Sequence, residues 1–406
     1  SPWNSFARRH FDVNNGCCPE DLLNISSDFV EKCKGLPLAI VAIGSLLSGK
    51  EKTPFEWGEI RQSLSSEMEK NPHLIGITKI LGFSYNDLPY YLKSCLLYFG
   101  IYPEDYEVKS KLLIRQWIAE GFVKGEEGKT LEQVAQQYLT ELIGRSLVHV
   151  SSFTVDGKAR RCHFHDLLRE MILRKFKDLS FCQHICKDKS LPSGMIRRLS
   201  IANNSNDLMG STESSHNQSL LVFTGNESAL TKEFVQRIPT KYRLLKVLDL
   251  EDGGLDFVPE NIGNLAHLKY LCLRLSDWSV VHSLPKFICK LQNLEIRDIR
   301  LEPCSMLLTL LPQEFYQLTK LRHLLGCFIL MIPSISLGGM TSLQTLRHLY
   351  FFDCETIPGD VIVELIRELG KLKQLRNLSL LGVKEGLGST LCSSINEMQN
   401  LEKLYI

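Results

Sequence analysis

"LKVLDL", Leu245 to Leu250, and "LKYLCL", Leu268 to Leu273, each set leucine at the first, fourth and sixth places of a short segment. In an extended strand alternate side chains take opposite faces, so Leu248 and Leu250 share one side while Asp249 falls on the other. The pattern recurs as Ile196/Leu199/Ile201, Leu346/Leu349/Phe351, Leu375/Leu378/Leu380 and Leu401/Leu404/Ile406, with degenerate copies centred on Leu221, Arg297 and Leu324. Central positions lie 22 to 29 residues apart, the period of leucine-rich repeats. One such strand cannot bury its leucines alone and must stack on the next copy, so residues 195–406 read as an α/β solenoid. A leucine-rich helical domain would explain neither this period nor the phased Val258-Pro259, Leu284-Pro285 and Leu311-Pro312, each followed by Ile262, Ile288 or Phe315. Arg297 breaks the pattern with a charge where a buried leucine belongs.

The residues between the buried leucines are expected to project from the strand face and to meet a partner. They are Asp249, Tyr270, Asp298, His323, His348, Tyr350, Lys403 and Tyr405, a mixture of aromatic and charged groups of the kind that carries interface energy.

Upstream the period changes to that of helices. Leu22, Ile25, Phe29 and Cys33 mark one helix face, Trp57, Ile60, Leu64 and Met68 another, and the apolar "LPLAIVAI" lies between them, so residues 1–72 read as a small α-helical bundle. Residues 77–180 read as a winged helix. Leu92, Cys95, Leu96 and Phe99 stripe a helix that Gly100 ends, Ser110 is expected to cap the next, and Thr130 with Gln133 forms a capping box for a third. "SLVHVSSF" and "KARRCHFH" then flank Asp156-Gly157 as a β-hairpin, and Asp166 caps a helix that buries Leu168, Ile172 and Phe176.

Composition narrows the function. The 406 residues carry 47 Lys and Arg against 46 Asp and Glu, which gives no overall footprint for nucleic acid or an anionic membrane. No apolar run is long enough to span a membrane, and no signal sequence is evident, so the chain reads as cytoplasmic, with a peripheral place at the plasma membrane as the variant. The opening "SPWNSFARRHF" lacks Met and reads as a fragment. Thirteen scattered cysteines suggest reduced thiols. Cys162, His163, His165, Cys182, His184 and Cys186 lack any C-x-x-C pair and are not read as a metal site. "GSLLSGKE", Gly44 to Glu51, has the spacing of a phosphate loop, but Glu51 replaces the magnesium-binding hydroxyl and the preceding residues read as a helix. Lys50 is therefore expected to be a solvated residue after a helix stop, and no catalytic set is read.

Four stretches in order, "GLPLAI" (Gly35–Ile40), "LKSCLLYFGIYPEDYEV" (Leu92–Val108), "LIRQWIAEGFV" (Leu113–Val123) and "FHDLLREM" (Phe164–Met171), resemble plant intracellular immune receptors of the nucleotide-binding, leucine-rich-repeat class, coiled-coil subclass. The resemblance implies an ADP/ATP-dependent switch that senses a pathogen effector or a guarded host protein through its repeats, contacts its own nucleotide-binding domain, and forms a homo-oligomer on activation. It also implies that Pro37 packs on the nucleotide and that His165 and Asp166, from the family's Met-His-Asp motif, hold ADP. Phe164 stands where that motif has Met. The phosphate loop and acidic Walker strand precede this region in the family, so this chain alone is expected to hold neither ADP nor ATP tightly. The alternative is a degenerate repeat scaffold or decoy. A DNA-binding role is disfavoured because "KLLIRQWIAEG" holds few basic residues.

Overall fold

The computed structural model describes residues 19–32, 40, 43–44, 46–47, 50–68, 75–164, 166–185, 196–202, 216–223, 230–255, 257–275, 285–301, 309–326, 328–329, 337–351 and 359–406. They fall into two units, Ser1–Phe181 and Cys182–Ile406.

In the first unit, α1 (Glu20–Lys32) buries Leu22 and Phe29, seven residues apart on one face. Phe29 meets Trp57 of α2 (Pro54–Met68) edge-on, with ring centroids 6.5 Å apart. Ile40, Ile43, Leu46 and Leu47 between them are buried and helical, as is the backbone at Gly44. Lys50, half-buried just after this segment, places its ammonium 2.7 Å from the Asp87 carboxylate, which also takes Arg145 at 3.4 Å. Pro37 and the rest of Gly35–Leu38 lie outside the described residues.

The winged helix follows as α3 (Ile75–Asn86), α4 (Tyr90–Phe99), β1 (Val108–Lys109), α5 (Ser110–Glu120), α6 (Leu131–Gly144), β2 (His149–Phe153), β3 (Ala159–His163) and α7 (Asp166–Leu179). The strands form one antiparallel sheet in the order β1-β3-β2. Several local readings hold. Thr130 and Gln133 exchange both bonds of the capping box, at 2.8 and 3.3 Å. Gly121 stops α5 at φ +83, a left-handed cap that glycine takes without strain. One reading changes, and another holds for a different reason. Ser110 does not cap α5; because Lys109 is still paired to β3, the helix begins directly at Ser110, whose hydroxyl lies 3.1 Å from the buried Cys162 thiol. Gly100 ends α4 with right-handed backbone, so its reason is space: a Cβ there would fall 2.5 Å from Ile172 Cγ2 and 2.8 Å from Phe176 Cζ. Gly100→Ala is therefore expected to force α7 off α4 at a cost of roughly 1–3 kcal/mol, read as a lower urea midpoint. An unchanged midpoint would mean that the contact yields freely.

The second unit is one parallel sheet built rung by rung. Its path runs β4 (Gln183–Ile185), β5 (Arg198–Ala202), β6 (Ser219–Phe223), β7 (Val247–Leu255), β8 (Tyr270–Leu275), β9 (Ile296–Leu301), β11 (His323–Leu325), β13 (Thr345–Tyr350), β14 (Asn377–Leu381) and β15 (Lys403–Tyr405). Short β10 (Thr309–Leu310) and β12 (Phe328–Ile329) pair beside β13. All nine copies of the sequence motif are strands, preceded by one more, β4. The phased prolines open 3-10 turns at Glu260–Asn264, Lys286–Lys290 and Gln313–Gln317, and Ile262, Ile288 and Phe315 after them are buried. Helices α8 (Lys232–Lys241), α9 (Gly359–Gly370) and α10 (Gly388–Asn396) take the place of these turns in other repeats.

Register corrects the phase of two copies. Leu220, not Leu221, aligns with Leu199 and Leu248. β6 is buried at every position, which hides the alternation that would have marked its faces. Leu346, not Leu349, aligns with Leu324 and Leu378. Two residues, Arg347 and His348, stand between Leu346 and Leu349 where other rungs have one, and the chain absorbs the extra residue in a bulge with His348 at φ +57.

Candidate switch and interaction sites

At the start of α7, Phe164 stacks on Phe99 with ring centroids 4.7 Å apart and planes 27° apart, and Phe99 meets Trp117 edge-on at 6.0 Å. The aromatic residue in place of Met thus fits a column that fastens this segment to α4 and α5. Arg169, in the first turn of α7, donates through Nη2 to the Tyr102 carbonyl at 3.4 Å, while its buried Nε has no hydrogen-bond partner among the described residues. Tyr102 in turn donates to the fully buried Gln116. Phe99, Tyr102, Asp105, Tyr106, His163, Phe164 and Arg169 line a small pocket at this helix start, so a carboxylate as well as a cation borders it. A helix N-terminus with a cation beside it favours an anion. His165 lies outside the described residues; Asp166 opens α7, and its side chain is not described. The thiol of Cys162 turns inward to Ser110 while His163 accepts or donates at Ser151, 2.8 Å away, so the two do not converge.

On the repeats, register sorts the eight expected contact positions. Tyr270 and His323 lie in the outward row that begins each rung, with Val247, Ile296 and Thr345. Asp249, Asp298 and Tyr405 lie in the second outward row, with Cys272 and Ser379. Outward does not mean exposed. Asp249, Tyr270, Asp298 and His323 are all buried, which corrects the expectation that each projects far enough from the strand face to meet a partner. Adjacent rungs are about 4.8 Å apart, so each side chain is flanked on both sides. Tyr270 is completely buried; its hydroxyl donates to Asp249 at 3.4 Å, and burial, then Asp249, push its pKa well above the usual phenol value. His323 Nδ1 lies 3.1 Å from the Thr345 hydroxyl. His348 and Tyr405 are exposed, and Tyr350 and Lys403 half-buried. Sequence reasoning missed the gathering of Asp249, Glu251 and Cys272, whose ligand-type atoms lie within 4.8 Å of one another. Only the rung register brings Cys272 beside Asp249.

A disease-type winged helix joined to a leucine-rich-repeat array is the class this arrangement defines. Residues 101–172 match the family model described as disease resistance protein winged helix domain, and residues 216–406 the one described as leucine-rich repeat region. The chain belongs to the plant disease-resistance proteins. It is 30% identical over 96% of its length to disease resistance protein RGA5 of rice, covering 34% of that protein. It is 34% identical to the putative disease resistance RPP13-like protein 3 of Arabidopsis thaliana and 31% to RPP13 itself, covering 91% of this chain and 42% of each. It therefore spans less than half the length of these relatives. Among the described residues no helix is long and apolar enough to cross a membrane.

Proposed function

We propose that this chain is the regulatory half of a plant innate immune receptor, an ADP/ATP-dependent switch that its winged helix and repeats hold off until a pathogen effector or a guarded host protein is sensed. The observation that carries the reading is the start of α7, where the aromatic column through Phe164 delivers Asp166 at a helix N-terminus with Arg169 one turn on. His165 and Asp166 then contact ADP held chiefly by an upstream domain, Pro37 packs on it, and release lets the receptor oligomerise and trigger cell death. Lys50 pairs with Asp87 and Glu51 follows it where a phosphate loop has a hydroxyl, which supports the reading that these residues alone hold ADP or ATP weakly. His348 and Tyr350, exposed and half-buried, are the accessible part of the partner surface, while Lys403 and Tyr405 stand on β15, which is paired on one side only. Asp166→Val in the intact receptor, expressed in leaves, is expected to give cell death without an effector, because loss of the ADP contact shifts the population toward the active form. Quiescence of the variant at normal protein level would count against the assignment.

A further inference from the structure

The overall charge of +1 conceals a one-sided distribution in the repeats. Each strand from β7 to β15 on the main path is entered through a seven-residue turn segment: 241–247, 264–270, 290–296, 317–323, 339–345, 371–377 and 397–403. Together these segments hold eleven Lys and Arg against three Glu. They form a continuous flank, because the residue before each strand donates its N–H to the equivalent carbonyl one repeat earlier: Lys269 to Lys246, Glu295 to Lys269, Arg322 to Glu295, and so on to Glu402 and Arg376. Rungs about 4.8 Å apart bring these charges into one row, broken at 339–345, which holds no charged residue.

The three glutamates are already engaged. Glu295 takes Lys269 at 2.7 Å, Glu397 takes Lys373 at 3.4 Å, and Glu402 takes Arg376. Arg243, Lys246 and Lys290 form no ion pair among the described residues, and Arg243 and Lys290 are exposed. Between Arg243 and Lys246, Leu244 is 40% exposed, the one large apolar side chain that these segments leave open before β15. Like charges gathered at such spacing repel one another unless an anion lies over them.

We infer that this strand-entry flank docks an acidic, extended segment of a partner protein, anchored at Arg243, Leu244 and Lys246. Nucleic acid fits less well, since the only Tyr, Phe or Trp side chains in the segments, Tyr242 and Tyr270, are fully buried and offer no platform for a base. A lipid surface fits less well, since one leucine is too little apolar area for interfacial binding.

The test uses the 406-residue chain and a fluorescein-labelled acidic peptide of about twelve residues with a central leucine, followed by anisotropy. Binding is expected at about 50 mM NaCl and should weaken several-fold at about 200 mM. R243E with K246E should weaken it roughly tenfold or more, and Leu244→Ser several-fold, with unchanged circular dichroism. K158E, on the exposed wing, should bind as the wild type does. Absence of peptide binding at low salt would overturn the proposal, as would equal loss in K158E. Tighter binding of a single-stranded DNA of similar length, or of phosphatidylserine vesicles, through the same two cations would also overturn it and make the flank a phosphate surface.

Discussion

A chain carrying Arg297→Leu is expected to unfold its repeat array at a higher temperature than the wild type. Arg297 lies in the inward row between Leu271 and Leu324 and is completely buried. Burial pushes its pKa down to about 9, with Cys289 acting weakly the other way, so the guanidinium is still charged at neutral pH. The Phe315 ring, whose centroid is 4.9 Å from the guanidinium carbon, offsets part of the cost of desolvating that charge. Replacing a buried charge by an apolar side chain of suitable volume is neutral to stabilising, by up to about 4 kcal/mol. For an array of this size each kcal/mol raises the midpoint by roughly 2–4 °C, which differential scanning fluorimetry resolves. A lower midpoint would show that the contacts of the guanidinium outweigh its burial. The same comparison links stability to pH. A base whose folded pKa is depressed binds fewer protons folded than unfolded, so the wild type should gain stability as pH rises above about 9, and Arg297→Leu should lose that slope.

One rung away the opposite exchange should be ruinous. Leu271→Asp puts a carboxylate into the fully buried inward row, where Leu248 and Arg297 are its rung neighbours. The lost apolar contacts and the buried charge together exceed about 4 kcal/mol, beyond the range of ordinary substitutions. Hydrogen exchange should find the amides of β7 to β9 unprotected, whereas those of α5 and α6 in the first unit keep their protection. Retained protection at Leu248 and Leu273 would mean that the row can accommodate a charge. The guanidinium of Arg297, its rung partner, would temper the effect, so the double exchange Leu271→Asp with Arg297→Leu should be worse than additive.

The repeat architecture was legible because leucine at a fixed interval has one economical explanation, and the prolines at 259, 285 and 312 repeat with it. The winged helix was legible from its caps and its Asp156-Gly157 turn. What escaped was whatever depends on neighbours in space. β6 is apolar on both faces, so its phase could not be read one strand at a time. The bulge at Arg347 and His348 arises from one extra residue, and an L-x-x-L reading accepts either of two frames there. Tyr270 and His323 were assigned to the outward face, which register bears out, but their burial follows from flanking rungs far away in sequence. Gly100 reads as a helix stop, while its true constraint lies in Ile172 and Phe176, more than seventy residues downstream. The cationic flank escaped for the same reason, since its charges are diluted among leucines until the rungs align.

The bonds that join one rung to the next repeat with little variation along the array. Besides the strand-entry amides, side-chain amides reach back by one repeat: Asn261 to the Gln236 carbonyl at 2.7 Å, Asn293 to Ala266 at 2.8 Å and Asn400 to Lys373 at 2.8 Å. A coding region that loses or duplicates one whole period therefore yields a chain in which every junction still finds its donor and acceptor. Loss of half a period would leave buried N–H groups without carbonyls and leucines facing water. Unequal crossing-over in register is thus structurally permitted, and the array can change in length and surface between generations while its backbone lattice is preserved.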